Sequence, residues 1–254
     1  MTKRIVVIPD LQVPYHDPKA VLAVQQFVGE YEPDELMCVG DEADSPEPSR
    51  WSKGYAEEYA PTLQKGLDAT AKIMAEFRQA VGDVPFHVQR SNHTDRISTY
   101  VSKYAPALAS LRELDYYRLV GYHEIGVEFH KQLFEFAPGW VMAHGDEGGS
   151  SRLAGGTALS LARAIGKSVV CGHTHKAALV HDHPGFNGRT TRLLFGFEVG
   201  NLMDMRQASY LARGAANWQQ AFGIFYVDGN KVTPHLVPII GKQFVVEGQV
   251  YSWS

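Results

Sequence analysis

Five short polar clusters occur in order along this 254-residue chain, and four of them follow a short apolar run. The clusters are Asp10-Leu11-Gln12, Gly40-Asp41-Glu42-Ala43-Asp44, Ser91-Asn92-His93, Ala143-His144-Gly145 and Gly172-His173-Thr174-His175. Mixed carboxylate, amide and imidazole donors suit divalent Mn, Fe, Zn or Ni. Two such ions about 3.5–4 Å apart stabilise both the entering and the departing oxygen of a displacement at phosphorus. We therefore predict a two-metal site.

Each cluster also has an ordinary structural interpretation. Taken singly, Asp10 and Asp41 are typical turn or helix-capping residues, and His144 alone is typical of a hydrogen-bonded histidine in or near a core. His173 and His175 are harder to explain in this way, because their i, i+2 spacing puts both side chains on one side of an extended chain. The ordered occurrence of all five clusters favours the metal site.

The clusters need elements that bring them together, and apolar runs alternate with helical patterns along the chain. Strands are predicted over residues 5–8, 36–39, 86–89, 140–143 and 168–171. Helices are predicted over 20–27, 62–81, 96–104, 106–114 and 155–165, and a run of strands between 179 and 237 includes a hairpin turn at Asp228-Gly229-Asn230. This order predicts an α/β (α+β) fold, a mixed β-sandwich flanked by helices. The length fits a single domain, residues 1–254.

The composition argues against some classes of binding partner and indicates the cellular compartment. A formal net charge of −4 and a pI near 6.3 argue against a broad basic surface that binds nucleic-acid phosphates, but not against a short nucleotide. Cys38 and Cys171 lie within apolar runs, which predicts buried free thiols and a reducing compartment. The first apolar stretch stops at Pro9, and no run approaches the roughly 20 residues that cross a bilayer. We expect an intracellular, cytoplasmic protein without a membrane partner.

The ordered clusters resemble the calcineurin-like metallophosphoesterases, whose pattern is Asp-x-His, Gly-Asp-x-x-Asp, Gly-Asn-His-(Asp/Glu), a lone His and Gly-His-x-His. The resemblance covers Asp10 to His175, about two thirds of the chain, and implies a four-layer fold. It also implies a binuclear centre with one metal on Asp10, Gln12, Asp41 and His175 and the other on Asp41, Asn92, His144 and His173. His93 matches the family's general acid. The Asp-Leu-Gln-Val-Pro-Tyr-His-Asp segment further resembles phage-encoded members, which implies the host cytoplasm.

Three positions depart from the family pattern, of which Ser91 in place of glycine is the smallest change and the other two bear on the chemistry. Gln12 replaces the first histidine, and its amide oxygen is a harder and weaker donor than imidazole, which favours Mn²⁺ or Mg²⁺ over Zn²⁺ there. We expect two divalent ions, Mn²⁺ first, with Fe, Zn, Ni and Mg as alternatives. Thr94 stands where the family carries an acid, so Asp95, one residue later, is the predicted partner of His93. Arg96 and His16 are predicted to contact the substrate, with a solvated helix-start arginine and an ordinary turn histidine as the alternatives.

The resemblance implies a phosphodiesterase in which a metal-bridging hydroxide attacks phosphorus and His93 protonates the departing oxygen. A diester is favoured because the sequence has no obvious arginine cluster for a dianionic monoester. The expected substrates are small nucleotides, including 2′,3′-cyclic ones, and extended nucleic acid is disfavoured. The alternatives are a nuclease with the same metals and a basic track, a phosphomonoesterase such as a protein phosphatase, and a non-catalytic binding scaffold.

Overall fold

Two β-sheets lie at the centre of the computed structural model of the protein, which describes residues 2–207 and 217–254. The strands, numbered along the chain, are β1 (Lys3–Ile8), β2 (Glu35–Cys38), β3 (Phe86–Gln89), β4 (Glu128–His130), β5 (Phe134–Ala137), β6 (Trp140–Met142), β7 (Ser168–Cys171), β8 (Ala177–Asp182), β9 (Gly185–Phe186), β10 (Arg189–Thr190), β11 (Leu194–Val199), β12 (Ala221–Asp228), β13 (Lys231–Pro238), β14 (Gln243–Val246) and β15 (Gln249–Ser252). The α-helices are α1 (Pro18–Tyr31), α2 (Leu63–Val81), α3 (Arg96–Tyr104), α4 (Tyr116–Leu119) and α5 (Gly156–Ile165). The predicted domain, 1–254, includes Met1 and residues 208–216, which lie outside the described residues.

Both sheets contain parallel and antiparallel strands. The first has the order β13-β12-β1-β2-β3-β4, with β1 to β4 parallel and β12 antiparallel to β1. The second has the order β5-β6-β7-β11-β8, with β6, β7 and β11 parallel and the two outer strands antiparallel. Two separate hairpins pair β9 with β10 and β14 with β15. Because parallel strands end at the same edge of a sheet, each sheet gathers the segments that follow its parallel strands.

Alternation along β1 explains how the layers form. Ile5 and Val7 belong to the core between the two sheets, whereas Val6 and Ile8 belong to the core that includes residues of α1 and α2. The helix α5 covers the outer face of the second sheet through a smaller cluster, made of Ala143, Ala158, Ala162, Val169 and Cys171. The layers are therefore helices, sheet, sheet and helix, which confirms the predicted mixed β-sandwich flanked by helices.

Local signals explain several element ends. The Asp17 carboxylate accepts hydrogen bonds from Lys19 N and Ala20 N, and Pro18 is the first residue of α1. The predicted hairpin turn is confirmed, with Gly229 at φ 56° between β12 and β13. Both cysteines are buried and free, as predicted.

Two helix predictions need correction. The segment 106–114 forms two short 3₁₀ turns, Pro106–Leu108 and Arg112–Leu114, because none of its residues is buried and no apolar face packs to stabilise a longer helix. The helix α1 continues past Gly29 to Tyr31 and ends at Glu32, which has a φ of 48°. In the described part of the chain, no helix has both the length and the apolar content to cross a membrane.

Candidate metal centre

The five polar clusters meet where the parallel strands of both sheets end. In chain order the predicted ligands are Asp10 and Gln12 after β1, Asp41 after β2, Asn92 after β3, His144 after β6, and His173 and His175 after β7. Within the first sheet, Gln12 N donates to Asp41 O at 2.8 Å. Across the two sheets, His173 N donates to Asp10 Oδ2 at 2.8 Å. The tertiary fold thus brings all seven predicted ligands to one crevice.

Asp10, Asp41 and His175 form one group whose donor atoms all lie within 4.8 Å of one another, and all three residues are buried. His175 Nε2 is 3.2 Å from Asp10 Oδ2. Gln12 lies between them, with its Nε2 2.9 Å from Asp41 Oδ2 and 3.2 Å from His175 Nε2. This group matches the first predicted ligand set.

Asp41, His144 and His173 form a second such group, so Asp41 is common to both. His144 Nε2 lies 3.3 Å from Asp41 Oδ1. Asn92 Oδ1 lies 3.0 Å from His144 Nε2 and 3.0 Å from His173 Nδ1, which places the amide oxygen between the two rings. One shared carboxylate between two donor groups is the arrangement that a pair of cations requires.

Buried oxygens at this centre test whether the residues fit a metal. Asp10 Oδ1 and Gln12 Oε1 have no hydrogen-bond partner within residues 2–207 and 217–254, although both residues are at most 1% exposed. Asp41 Oδ1 is equally buried, and among the described residues it makes the 3.3 Å ion pair with His144 Nε2 but no hydrogen bond. An unsatisfied buried acceptor costs roughly 1–3 kcal/mol, and more when it is charged. Divalent cations accept such lone pairs, and the mixture of oxygen and imidazole donors suits them. The residues therefore fit divalent metal ions.

Electrostatics at the centre favour positive charge. Burial by itself raises the pKa of Asp41, but the His144 and His93 rings hold that pKa well below its usual range. Burial by itself lowers the pKa of His144, but Asp41 and then Asp10 raise it to about 10. His144 Nδ1 donates to the Val39 carbonyl at 2.8 Å, which leaves Nε2 as the ring nitrogen that can face a metal. A proton on Nε2 and a bound cation are alternative ways to neutralise the two aspartates.

The backbone of the centre is held in unusual conformations. Gln12, Asp41, His173 and His175 have φ values of 57°, 55°, 65° and 58°, in the left-handed region that non-glycine residues seldom adopt. A side chain at Gly172 would place its Cβ 1.9 Å from Asp10 Oδ1, so only glycine fits there. Such strain costs of order 1–3 kcal/mol for each residue and clusters at functional sites.

Two glutamates, the buried Glu198 and the exposed Glu147, position the histidine loops, and the sequence analysis did not identify either. Glu198 Oε1 accepts from Thr157 N at 2.9 Å, at the start of α5, and Glu198 Oε2 accepts from Thr174 Oγ1 at 2.8 Å, between His173 and His175. Glu147 accepts from His144 N at 3.1 Å. Glu198 is the penultimate residue of the apolar strand β11, far from the clusters in sequence, so no local signal could have identified it.

His93 contacts a different acid from the predicted one. Its Nδ1 is 3.3 Å from Asp44 Oδ1, and its Nε2 is 3.6 Å from Asp41 Oδ2. The predicted partner, Asp95, instead accepts from Arg90 Nε at 2.8 Å. Asp95 is the residue before α3, and the turn that it occupies directs its carboxylate to Arg90 rather than to the imidazole. Asp44, the fifth and last residue of the cluster that begins at Gly40, lies where the sequence analysis expected an acid near Thr94.

The two predicted substrate contacts differ in their placement. Arg96 reaches the centre, with its Nη2 2.8 Å from His93 Nε2 and its Nη1 3.6 Å from Asp44 Oδ1. His16 forms a backbone bridge with Met203, and burial lowers its pKa. No hydrogen bond or ion pair within the described residues joins the His16 ring to the predicted ligands.

A scan against protein-family models finds no match. The chain is 40% identical over 256 residues to the Gene 54 protein of Mycobacterium phage D29, with 99% of this chain and 100% of that protein covered. It is 38% identical over 255 residues to the Gene 54 protein of Mycobacterium phage L5, again over 99% and 100% of the two chains. Among solved structures, Vacuolar Protein Sorting 29 from Cryptosporidium parvum aligns over 99% of both chains with a TM-score of 0.50 and 15% identity. That likeness shows the fold alone, which is the calcineurin-like metallophosphoesterase fold.

Proposed function

The chain belongs to the family of the Gene 54 proteins of mycobacteriophages D29 and L5, and we propose that it is a divalent-metal-dependent phosphodiesterase that acts in the host cytoplasm. The observation that carries this proposal is the buried Asp41 carboxylate shared by two groups of donor atoms. Unpartnered oxygens on Asp10, Gln12 and Asp41 support the same conclusion. The metallophosphoesterase fold supports the reaction class but does not select a substrate.

We assign one metal to Asp10, Gln12, Asp41 and His175, and the other to Asp41, Asn92, His144 and His173. When bound, two such ions activate a water molecule near neutral pH and neutralise the charge that develops on the phosphate oxygens. We propose Mn²⁺ as the resident metal. An amide oxygen at Gln12 and two carboxylates make the first set rich in oxygen, and Mn²⁺ accepts such ligands more readily than Zn²⁺ does.

His93 is the group that we propose to move a proton to the leaving oxygen. Arg96 has donors only, so its 2.8 Å contact to His93 Nε2 requires that nitrogen to be unprotonated. The ring proton then lies on Nδ1, which faces Asp44 at 3.3 Å. When Arg96 turns to the phosphate of a bound diester, Nε2 becomes free to carry a proton, and Asp44 stabilises the resulting imidazolium. Asp44 is therefore a positioning residue, and we make no catalytic assignment for Asp95 or His16.

The test is hydrolysis by protein that has been stripped of metal and reloaded with Mn²⁺, Zn²⁺, Ni²⁺ or Mg²⁺. Matched nitrophenyl mono- and diesters and the 2′,3′- and 3′,5′-cyclic nucleotides serve as substrates. We expect diester turnover with Mn²⁺ that Asp41→Asn abolishes and that Asp68→Asn, an exposed aspartate of α2, retains. Full metal-dependent turnover by Asp41→Asn contradicts the assignment of the shared ligand, and faster turnover of the monoester contradicts the diester proposal.

A further inference from the structure

A pocket of about 430 Å³ adjoins the candidate centre. Asn92 and Arg96 line it on the side of the centre, and the remainder of its wall comes from the loop 48–58 and from α3. Its volume lies within the range of small-molecule sites in proteins. The pocket is therefore placed to hold the part of a substrate that flanks the scissile phosphate.

The pocket is cationic, in contrast to the chain as a whole. Arg50, Lys53, Arg96 and Lys103 line it, against a single acidic residue, Glu58, whereas the formal net charge of the chain is −4. Two of these cations come from the loop and two from α3, which explains why the sequence analysis found no basic cluster. The proposed metals and Arg96 are sufficient to neutralise a single phosphate at the centre. The other three cations of the pocket therefore indicate a second anionic group on the substrate.

The pocket also presents exposed aromatic faces. Trp51 is 73% exposed and Tyr104 is 47% exposed, and the rings of Tyr100 and Tyr104 lie 4.8 Å apart. The Arg50 guanidinium lies 4.6 Å from the centre of the Trp51 ring, and Lys53 Nζ donates to the Tyr104 hydroxyl at 2.9 Å. Large aromatic surfaces that remain exposed among cations are typical of sites that stack nucleobases and pair with the phosphates between them.

Local contacts give the pocket a defined shape. Trp51 N donates to Ser49 Oγ at 3.3 Å, and Gly54 N donates to Glu58 Oε2 at 2.6 Å, so both ends of the loop are tied to its own side chains. On α3, Arg96, Lys103 and Tyr104 lie three or four residues from Tyr100, so all three share a face of the helix with it. The cationic and aromatic groups of the helix therefore point to the same side as the loop.

From these observations we propose that the pocket binds the nucleotide unit next to the scissile phosphate. The base stacks on Trp51, the most exposed aromatic ring of the lining, and a further phosphate of the same substrate pairs with Lys53 and Lys103. This inference rests on the proposed phosphodiesterase function and extends it from a mononucleotide to a substrate with at least one more phosphate. A dinucleotide and the end of a single-stranded nucleic acid both carry this chemistry.

The first test compares two diesters that share a nitrophenyl leaving group, thymidine 5′-(4-nitrophenyl) phosphate and phenyl 4-nitrophenyl phosphate. We expect Trp51→Ala to raise the KM of the thymidine ester relative to that of the phenyl ester by roughly 5- to 100-fold, since stacking on an aromatic ring contributes about this much for each base. Trp51→Phe should restore most of the preference. Tyr59→Ala is the control, because Tyr59 is 76% exposed in the same region but does not line the pocket. An unchanged ratio of KM values in Trp51→Ala overturns the proposal.

The second test measures binding to metal-stripped protein by the fluorescence anisotropy of a labelled 5′-phosphorylated thymidine dinucleotide, so it reports on the pocket even if no ester is hydrolysed. We expect the double variant Lys53→Ala/Lys103→Ala to bind the dinucleotide at least tenfold more weakly. Its affinity for a 2′,3′-cyclic mononucleotide should fall much less. Competition by a single strand of about ten nucleotides shows which of the two substrates the pocket binds. Tighter binding of the strand than of the dinucleotide supports a single-stranded nucleic acid as the substrate, and equal binding supports a dinucleotide. Competition by a polyglutamate peptide as strong as that by the dinucleotide overturns the nucleotide assignment.

Discussion

Gln12 contributes an unusual side chain to an otherwise carboxylate and imidazole centre. Its Oε1 has no hydrogen-bond partner within the described residues, while its Nε2 contacts Asp41 Oδ2 and His175 Nε2. A flip of the Gln12 amide exchanges the positions of these two atoms. The oxygen is the only atom of the amide that can bind a metal, since the nitrogen is a donor. We therefore expect the choice of metal at this centre to depend on this single side chain.

We predict that Gln12→His shifts metal preference toward Zn²⁺. An imidazole nitrogen is a stronger and softer donor than an amide oxygen, so the Zn²⁺ affinity relative to Mn²⁺ should rise about tenfold or more. The positive φ of 57° at this position is tolerated by histidine, which other positions of the centre already place in the same region. Competitive metal uptake measured by elemental analysis checks the prediction, with the exposed Gln64→His as the control. An unchanged ratio of the two metals contradicts the role of Gln12 as a ligand.

Asp44 and Asp95 form a matched pair for testing which acid supports His93. We predict that Asp44→Asn lowers kcat for diesters with poor leaving groups by about 10- to 100-fold and has a smaller effect on nitrophenyl esters, because only a poor leaving group needs a proton. Asp95→Asn should have a smaller effect on both, since Asp95 pairs with Arg90. The dependence of kcat on leaving-group pKa is the measurement. Equal losses in both variants contradict the assignment of Asp44.

At the scale of elements, short turns after buried strands determine the geometry of the centre. The segment after β7 approaches the segment after β1 so closely that Gly172 lies against Asp10. Glu198 of β11 ties the same turn to the start of α5 through Thr174 and Thr157. The two sheets are therefore held in register at the crevice by contacts between turns as well as by the core between them.

We predict that Gly172→Ala removes most metal uptake and destabilises the protein by several kcal/mol, because the new Cβ would lie 1.9 Å from Asp10 Oδ1. The control is Gly66→Ala in α2, where a Cβ meets no atom within 4 Å and alanine should stabilise the helix by roughly 0.5–1 kcal/mol. Equilibrium unfolding in urea and metal analysis check both variants. A Gly172→Ala protein with normal stability and metal content contradicts the close approach of the two turns.

At the scale of the whole molecule, the predicted ligands come from both sheets, so we expect metal binding and folding to be interdependent. A ligand that binds only the folded state stabilises it by about 2.7 kcal/mol at a concentration 100 times its Kd. The buried oxygens of Asp10 and Asp41 that have no hydrogen-bond partner within the described residues contribute to the affinity itself, since the cation removes their cost.

We therefore predict that Mn²⁺ raises the Tm of metal-stripped protein by several degrees and that EDTA reverses the increase. In Asp41→Asn the increase should be lost, while in the exposed variant Asp68→Asn it should remain. Differential scanning calorimetry at several Mn²⁺ concentrations provides the measurement without any need for activity. A Tm that does not depend on Mn²⁺ in the unmodified protein contradicts a metal centre between the sheets.

The sequence alone was sufficient for the layered fold and for the five polar clusters that meet at the crevice, because buried strands and the polar residues that follow them are local patterns. The apolar run 168–171, followed by Gly172-His173-Thr174-His175, predicts a strand with polar residues at its end without any knowledge of distant contacts. The role of each residue at the centre and the single domain remain predictions.

Only the tertiary structure decided which residues support those ligands. Whether Asp44 or Asp95 contacts His93 depends on the direction of a turn. The hydrogen bond between Thr174 and Glu198 joins residues that are 24 positions apart. The cationic aromatic pocket combines a loop with a helix that is about 50 residues away in the sequence. These contacts follow from the packing of whole elements. No local pattern encodes them, because side chains that are distant in sequence meet only after the sheets and helices have packed.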